Sequence, residues 1–294
     1  MASRHALIRA GQREPAGGGL SIRQACDALA VSRSWFYARP LEVVPDAAAT
    51  RLRDAIERLV LDFPGYGYRR VTHALRRDGW AVNHKRVLRI MREEALLCQL
   101  QRRFIATTDS QHGYRTYPNL LADLVLVGLD QAWVADITYV RLPHAFAYLA
   151  AILDALSRRC VGWCLSRQID HTLTLAALEH ALTNRQPPAG LIHHSDRGVQ
   201  YACAAYVARL DQAGARISMA AVGNPYDNAK AESFFKTLKR EEVYLHQYQT
   251  FHEAEANLAR FIDDVYNTKR LHSSLDYRPP VEFEVDLLAA TART

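Results

Sequence analysis

Three acidic residues stand in sequence settings that could bring them together. Asp136 lies inside W-V-A-D-I-T-Y-V (Trp133 to Val140), an alternating, β-branched run that reads as a strand. Asp196 follows the apolar pair Leu191-Ile192 within H-H-S-D-R-G-V-Q-Y (His193 to Tyr201), at the end of a short buried strand. Glu232 belongs to N-P-Y-D-N-A-K-A-E-S-F-F-K-T-L-K (Asn224 to Lys239), on a helix expected to begin near Pro225. Proline suits a first helical turn because it has no N–H to leave unpaired. Between Asp196 and Glu232 there are 35 residues. A strand Asp, a strand-end Asp and a helical Glu can converge on one divalent metal. Such a set suits phosphodiester chemistry, where charge on the attacking, leaving and non-bridging oxygens must be neutralised. Two hard cations about 3.5–4 Å apart do this in many nucleic-acid enzymes. Mg²⁺ takes a few carboxylates, with water and phosphate oxygens completing its octahedron, and Mn²⁺ can substitute. No covalent protein nucleophile is required.

Each acid also has an ordinary reading. A strand Asp can be a structural acceptor, and a helical Glu is usually solvated. Asp154 and Asp170 compete on the same grounds, Asp154 as a residue that ends its strand and caps a turn. Asp227 is the nearest rival to Glu232, with a helix N-terminal capping role available to it. His193, His194 and His272 read as satisfied structural histidines and stay outside the metal shell. The conjunction of the three positions carries the assignment.

At 100° per residue, Asn228, Glu232, Lys236 and Lys239 fall within about 80° of one another, while Ala231, Phe234 and Leu238 form a neighbouring apolar face. The acid therefore shares its stripe with one amide and two ammonium groups suited to DNA phosphates. The alternative is Glu–Lys support of an exposed helix.

The elements that must position these residues begin at Gln131. Strands are expected over Trp133–Val140, Ala147–Ala155 and Cys160–Ser166, then a helix over His171–Leu182. A strand over Leu191–His194, a helix over Tyr201–Ala213, a strand over Arg216–Met219 and the Glu232 helix follow. That order is the one of a ribonuclease H-like α/β fold, a mixed five-stranded sheet with flanking helices.

All-α segments precede it. Ser21 to Arg39 reads as two short helices with Ser21 and Ser32 as caps and Ile22, Ala25, Leu29, Trp35 and Phe36 as a small core. It resembles a helix-turn-helix, with Arg33 and Arg39 towards DNA; an ordinary helical hairpin is the alternative. A second unit has helices over Arg51–Asp62, Arg69–Arg77 and His84–Ala95, the last capped by Asn83. There Val87, Leu88 and Met91 face inward, leaving Lys85, Arg86, Arg89 and Arg92 outside. Arg69 and Arg70 sit on the preceding helix. From Tyr66 to Ala106 ten Lys/Arg stand against three Asp/Glu, a local +7 within a chain of net charge +6. Phosphate contact would dominate binding by such a unit and make it salt-dependent. The segmentation expected is 1–45, a helix-turn-helix-like segment; 46–106, a basic helical DNA-binding domain; 107–129, a linker whose apolar Leu120–Leu129 packs on the core; and 130–285, the catalytic core with a helical C-terminal extension.

Apolar content of 49% in 294 residues supports a packed interior. Five cysteines without a C-x-x-C pair fit reduced thiols and a reducing cytoplasm. No run of about 18 apolar residues indicates a membrane span.

These motifs carry a family resemblance. W-V-A-D-I-T-Y, Y-L-A-A-I-L-D-A-L-S-R-R-C-V-G-W, H-H-S-D-R-G-V-Q-Y, the Glu232 motif and Y-N-T-K-R-L-H-S-S-L-D-Y-R-P-P (Tyr266 to Pro280) resemble the second-frame transposase (OrfB) of the insertion-sequence type 3 family, relatives of retroviral integrases. Y-G-Y-R-R-V-T-H-A-L and K-R-V-L-R-I-M-R resemble its helix-turn-helix segment. The resemblance implies that Asp136, Asp196 and Glu232 are the D-D-E metal ligands, served by two Mg²⁺ ions with DNA bound. It implies that Lys236 and Lys239 are the basic positions after the Glu. It further implies element-end cleavage and strand transfer by a 3′-hydroxyl, on element-end and target double-stranded DNA in the bacterial nucleoid. An upstream-frame (OrfA) partner or fusion and a multimer on DNA are implied as well. One departure is Ala220-Ala221-Val222, where the family usually has a Ser and a basic residue. Two other functions compete: a non-catalytic DNA-binding regulator of its own element, and a general ribonuclease H-like nuclease.

Overall fold

In a computed structural model that describes residues 7–8, 20–38, 47–98, 116–122, 124–221 and 228–292, the run Ala132–Arg141 forms the central strand β1. It pairs antiparallel with β2 (Phe146–Asp154), which pairs antiparallel with β3 (Cys160–Ser166). On its other side lie β4 (Ile192–Ser195) and β5 (Arg216–Met219), both parallel to it. The order β3-β2-β1-β4-β5, three antiparallel strands followed by two parallel ones, is the ribonuclease H-like sheet expected from the element order.

β1 and β2 are apolar nearly throughout because both faces of the sheet are covered. Along β1, side chains alternate between two cores. Ala132, Val134 and Val140 meet Ala231, Phe234 and Leu238 of α9 (Ala229–Leu238), together with Leu258 and Tyr266. Trp133, Ala135 and Ile137 meet Leu173, Ala177 and Leu178 of α6 (His171–Arg185), together with Tyr201 and Tyr206. Gly162 on β3 lets α6 come close: a Cβ there would lie 2.5 Å from the Ala177 carbonyl oxygen and 2.6 Å from the Ala181 Cβ. Asp170 caps α6 through the Thr172 and Leu173 amides.

The single helix expected over Tyr201–Ala213 is broken. α7 (Val199–Ala202) and α8 (Ala204–Gln212) meet at Cys203, whose backbone is extended. In one continuous helix Tyr201 and Tyr206 would point about 140° apart. The break turns both onto His193, with their rings edge-on to each other at 5.4 Å.

By contact the chain divides into two units, Met1–Asp54 and Ala55–Thr294. In the first, α1 (Ile22–Ala28) carries a Ser21–Gln24 capping box, and the Trp35 amide donates to Ser32 at the start of α2 (Arg33–Ala38). Ala25, Cys26 and Phe36 are buried, with Ile22, Leu29 and Trp35 packed around them. Helix α3 is Ala47–Asp62, longer at its start than expected. The second unit holds α4 (Tyr68–Arg77) and α5 (His84–Glu93), the latter capped by Asn83. Val87, Ile90 and Met91 face the interior of α5; Ile90 takes the place expected for Leu88, because positions i, i+3 and i+4 share one face.

The polypeptide beyond α9 ties these helices to the sheet. It runs through a π-helical turn (Lys239–Val243), α10 (Phe251–Arg260), a π-helical segment (Phe261–Tyr266) and α11 (Pro280–Thr291). The Leu271 amide donates to the Tyr66 hydroxyl at 2.7 Å, His73 stacks on Tyr277, and Arg77 grips Glu282 through two nitrogens. Leu120, Leu121 and Leu126 pack against the core, whereas Val125 and Val127 are exposed. Expectations about Arg39, residues 99–115, Val222, Pro225 and Asp227 fall outside the described residues. Among the described residues no helix is long and apolar enough to cross a membrane.

Candidate active site

Parallel pairing brings the first two acids side by side. Val134 on β1 is in register with His194 on β4, and two residues further along each chain stand Asp136 and Asp196. The Ile137 amide donates to one Asp136 oxygen at 2.8 Å. The Gly198 amide donates to Asp196 at 2.9 Å, and a Cβ at Gly198 would crowd that same oxygen at 2.9 Å. Burial pushes the Asp136 carboxyl up to about 8; Asp196 and, more weakly, Glu232 push the same way, against the Ile137 amide and Lys239. Three carboxylates thus share one field on Asp136. Among the described residues, however, no three His, Cys, Asp or Glu side chains close into a ready-made metal cage.

Glu232 is exposed in the first turn of α9. The stripe expected around it is split. Asn228 is buried at the cap of α9, and its amide donates to the Ala135 carbonyl at 3.3 Å. Lys236 is exposed one turn beyond Glu232. Lys239 opens the π-helical turn and lies over the Tyr139 ring, its ammonium 4.1 Å from the centroid. Burial lowers the Lys239 pKa, opposed by Asp136. Asn228 leaves the stripe because its amide turns inward to β1, whereas Lys239 stays beside Asp136 although the π-helical turn carries it.

The basic positions of the helical unit also separate. Arg69, Lys85, Arg86 and Arg89 are exposed, with Arg89 3.8 Å from Glu93. Arg70 does not share that surface. Its guanidinium lies over the Tyr66 ring and faces the Glu241–Arg270 pair, because in α4 it sits beside the buried Val71.

The competing residues have structural work. Asp154 accepts from the Asp130, Leu156 and Ser157 amides. His193 bonds Tyr206, and burial, then His194, lowers its pKa to about 3, so it is neutral. His194 bonds Ser218 at 2.8 Å. His272 is buried edge-on to Tyr266 with its pKa lowered to about 3, first by burial and then by Arg270.

Tyr201 was missed. It is buried beside the acids, and its hydroxyl has no hydrogen-bond partner among the described residues. Burial raises its pKa well above the usual value, helped by Tyr206, Asp136 and Asp196. Its signal was its place five residues after Asp196 in the same motif.

A ribonuclease H-like sheet with acids on β1, after β4 and on α9 defines the chain as an integrase-type core joined to a helical unit. Two profiles described as Integrase core domain match residues 129–225 and 213–280, and one described as HTH-like domain matches residues 47–104. A Shigella sonnei protein, the insertion element IS600 uncharacterized 31 kDa protein, is 37% identical over 88% of this chain and 96% of its own. The Lactococcus lactis transposase for insertion sequence element IS904 is 37% identical over 74% and 87%. The Escherichia coli transposase InsF for insertion sequence IS3A is 34% identical over 92% and 96%. The chain belongs to the IS3 family of insertion-sequence transposases.

Proposed function

We propose that this chain cleaves the ends of its own insertion sequence and joins them to target DNA, with Asp136, Asp196 and Glu232 as its catalytic, metal-holding acids. The single observation that carries this is the parallel register of β1 and β4, by which Asp136 and Asp196 follow paired residues and stand close enough, with Glu232, to repel one another. A divalent cation relieves that repulsion in the way a proton does, and an all-carboxylate donor set suits Mg²⁺ or Mn²⁺. Bound there, one or two such ions would supply charge neutralisation at the reacting phosphate.

The chain's own groups do the rest. Asn228 sets the start of α9 against β1, fixing where Glu232 projects. Lys239, folded over Tyr139 beside Asp136, and the exposed Lys236 offer cations to phosphates next to the acids. In cleavage, water displaces a 3′-oxygen from phosphorus and leaves a 3′-hydroxyl. In joining, that hydroxyl attacks a target phosphodiester, and the bond to the target's own 3′-oxygen breaks. Arg69, Lys85, Arg86 and Arg89 would hold duplex DNA on the 46–106 unit while the 130–285 core reacts it. An OrfA partner or fusion and a multimer would bring two ends together, in the bacterial cytoplasm at the nucleoid.

The test is strand joining. Purified protein, with and without its upstream-frame partner, is incubated with labelled element-end DNA in Mg²⁺, Mn²⁺ or EDTA, beside Glu232→Gln. Joined product that needs both metal and Glu232 is expected. Binding without joining in the partner's presence would replace this reading with that of a DNA-binding regulator.

A further inference from the structure

Where α9 passes into its π-helical turn, a cavity of about 230 Å³ opens between that junction, the helical unit and the C-terminal extension. It is separate from the three acids and none of them lines it. Its charged walls are Arg70, Lys236, Arg240, Glu241 and Arg270. Glu241 is already committed: Arg270 holds both of its oxygens at 2.7 Å, and both residues are buried. Gly65 makes room for that pair, since a Cβ there would collide with the Glu241 side chain. Among the described residues the other three cations, Arg70, Lys236 and Arg240, form no ion pair with a carboxylate. Arg70 shows the deficit most directly: its Nε is buried and has no hydrogen-bond partner among the described residues. Burial and then Arg270 depress its pKa, so its charge is held at a cost. The Ser233 and Thr237 hydroxyls of α9 add donors on the same wall. A donor-rich wall whose one carboxylate is already paired, around a space that takes a tetrahedral anion and several waters, is built for an anion.

We propose that this cavity binds a backbone phosphate of the substrate DNA, held by Arg70, Lys236 and Arg240. The proposal rests on DNA being the substrate and deepens that reading. Ser233 is the neighbour of Glu232, so a phosphate seated here would lie along the helix that carries the catalytic acid. The guanidinium fork of Arg240 gives two-point contact with phosphate oxygens. Because the cavity joins Arg70 of the helical unit to α9, one phosphate would register the strand against both.

The measurement is fluorescence anisotropy of a blunt, mixed-sequence DNA duplex in EDTA as salt is raised, with unfolding curves for every variant. One phosphate contact contributes about 0.9 to the slope of log K against log salt. Arg240→Gln is expected to reduce the slope by about one while unfolding as the parent does. Arg240→Lys should recover the slope, and Arg216→Gln, a charge-matched control on β5, should leave it unchanged. Phenylglyoxal modification with peptide mapping gives a second reading: duplex DNA should protect Arg240, and inorganic phosphate at equal phosphate concentration should protect it less. Parallel slopes for Arg240→Gln and the parent would overturn the proposal. Equal protection by inorganic phosphate would overturn it in favour of a free anion. Neither readout requires metal or joining, so a failure of catalysis leaves this test intact.

Discussion

The Asn228 amide donates to the carbonyl of Ala135, the residue before Asp136, at 3.3 Å. One buried bond therefore locks the cap of the Glu232 helix to the strand carrying the first acid. The apolar face of α9 supplies adhesion, each large side chain such as Phe234 contributing about 1.5–3 kcal/mol, but it does not fix the helix along its axis. The Asn228 bond does.

Asn228→Ala should accordingly hurt joining more than stability. Losing the bond and stranding a buried carbonyl costs about 1–3 kcal/mol. A misplaced Glu232 should lower the joining rate about a hundredfold, since displacements near 1 Å can do so. Urea unfolding and single-turnover joining check the two halves. A stability loss with a normal joining rate would separate Asn228 from the placement of Glu232.

Asp136 predicts a pH dependence for the metal-free protein. Its folded pKa, about 8, lies above the ordinary carboxylate value near 4. The folded state thus keeps this proton after the unfolded chain has lost it, and stability falls as pH rises from about 4 to about 8, then levels. Each tenfold difference in proton affinity between the folded and unfolded carboxyl corresponds to about 1.4 kcal/mol. Asp136→Asn, which never carries the charge, should flatten that fall and exceed the parent in stability at pH 8. Urea unfolding in EDTA between pH 4 and 9 decides it; parallel profiles for the two proteins would count against a raised Asp136.

Tyr201 tests the polar balance beside the acids. Its buried hydroxyl has no partner among the described residues, so Tyr201→Phe removes an uncompensated polar atom. Stability should be unchanged or higher by about 1 kcal/mol. Tyr201→Ala should cost about 3–5 kcal/mol, because the ring packs against His193 and Tyr206. Denaturant midpoints compare the two, and a loss above 1 kcal/mol in Tyr201→Phe would mean that the hydroxyl is bonded in solution.

Sequence periodicity reached far into this fold because a doubly covered sheet leaves strong marks. β3 (Cys160–Ser166) and β5 (Arg216–Met219) have the bounds their apolar runs predict. The acids could be placed on elements from local pattern alone, and the strand pairing explains why Asp136 and Asp196 become neighbours. What pattern could not show depends on contacts distant in sequence. Cys203 breaks a helix so that two tyrosines can reach one histidine. Asn228 turns inward to a carbonyl 93 residues away. Arg70 is the same residue type as its neighbour Arg69, and only the fold sets it against Arg270. A π-helical turn after Leu238 has no periodic signature, yet it decides where Lys239 and Arg240 point.

Glu284 gives a last prediction of opposite sign. From α11 it accepts from Ser157 and Arg159 at 2.7 Å and from Arg185 at 2.8 Å, while Arg185 also reaches Asp130. Burial alone would raise its pKa, but the bonds from Arg185, Ser157 and Arg159 outweigh that and hold it below the usual glutamate range. Stability from this group is therefore present above the unfolded glutamate pKa near 4.3 and is lost as pH falls through the depressed folded value. Glu284→Ala strands the nearly buried Arg185 with Asp130 alone and should cost about 3–5 kcal/mol, the usual penalty for breaking a buried ion pair. Glu284→Gln keeps the shape, loses the charge and should fall between Ala and the parent. Both should shed most of the acid-side loss that the parent shows below pH 4. Urea unfolding at pH 3 and pH 7 reads both effects, and an unchanged difference between those pH values in Glu284→Gln would show that another carboxylate governs the acid limb.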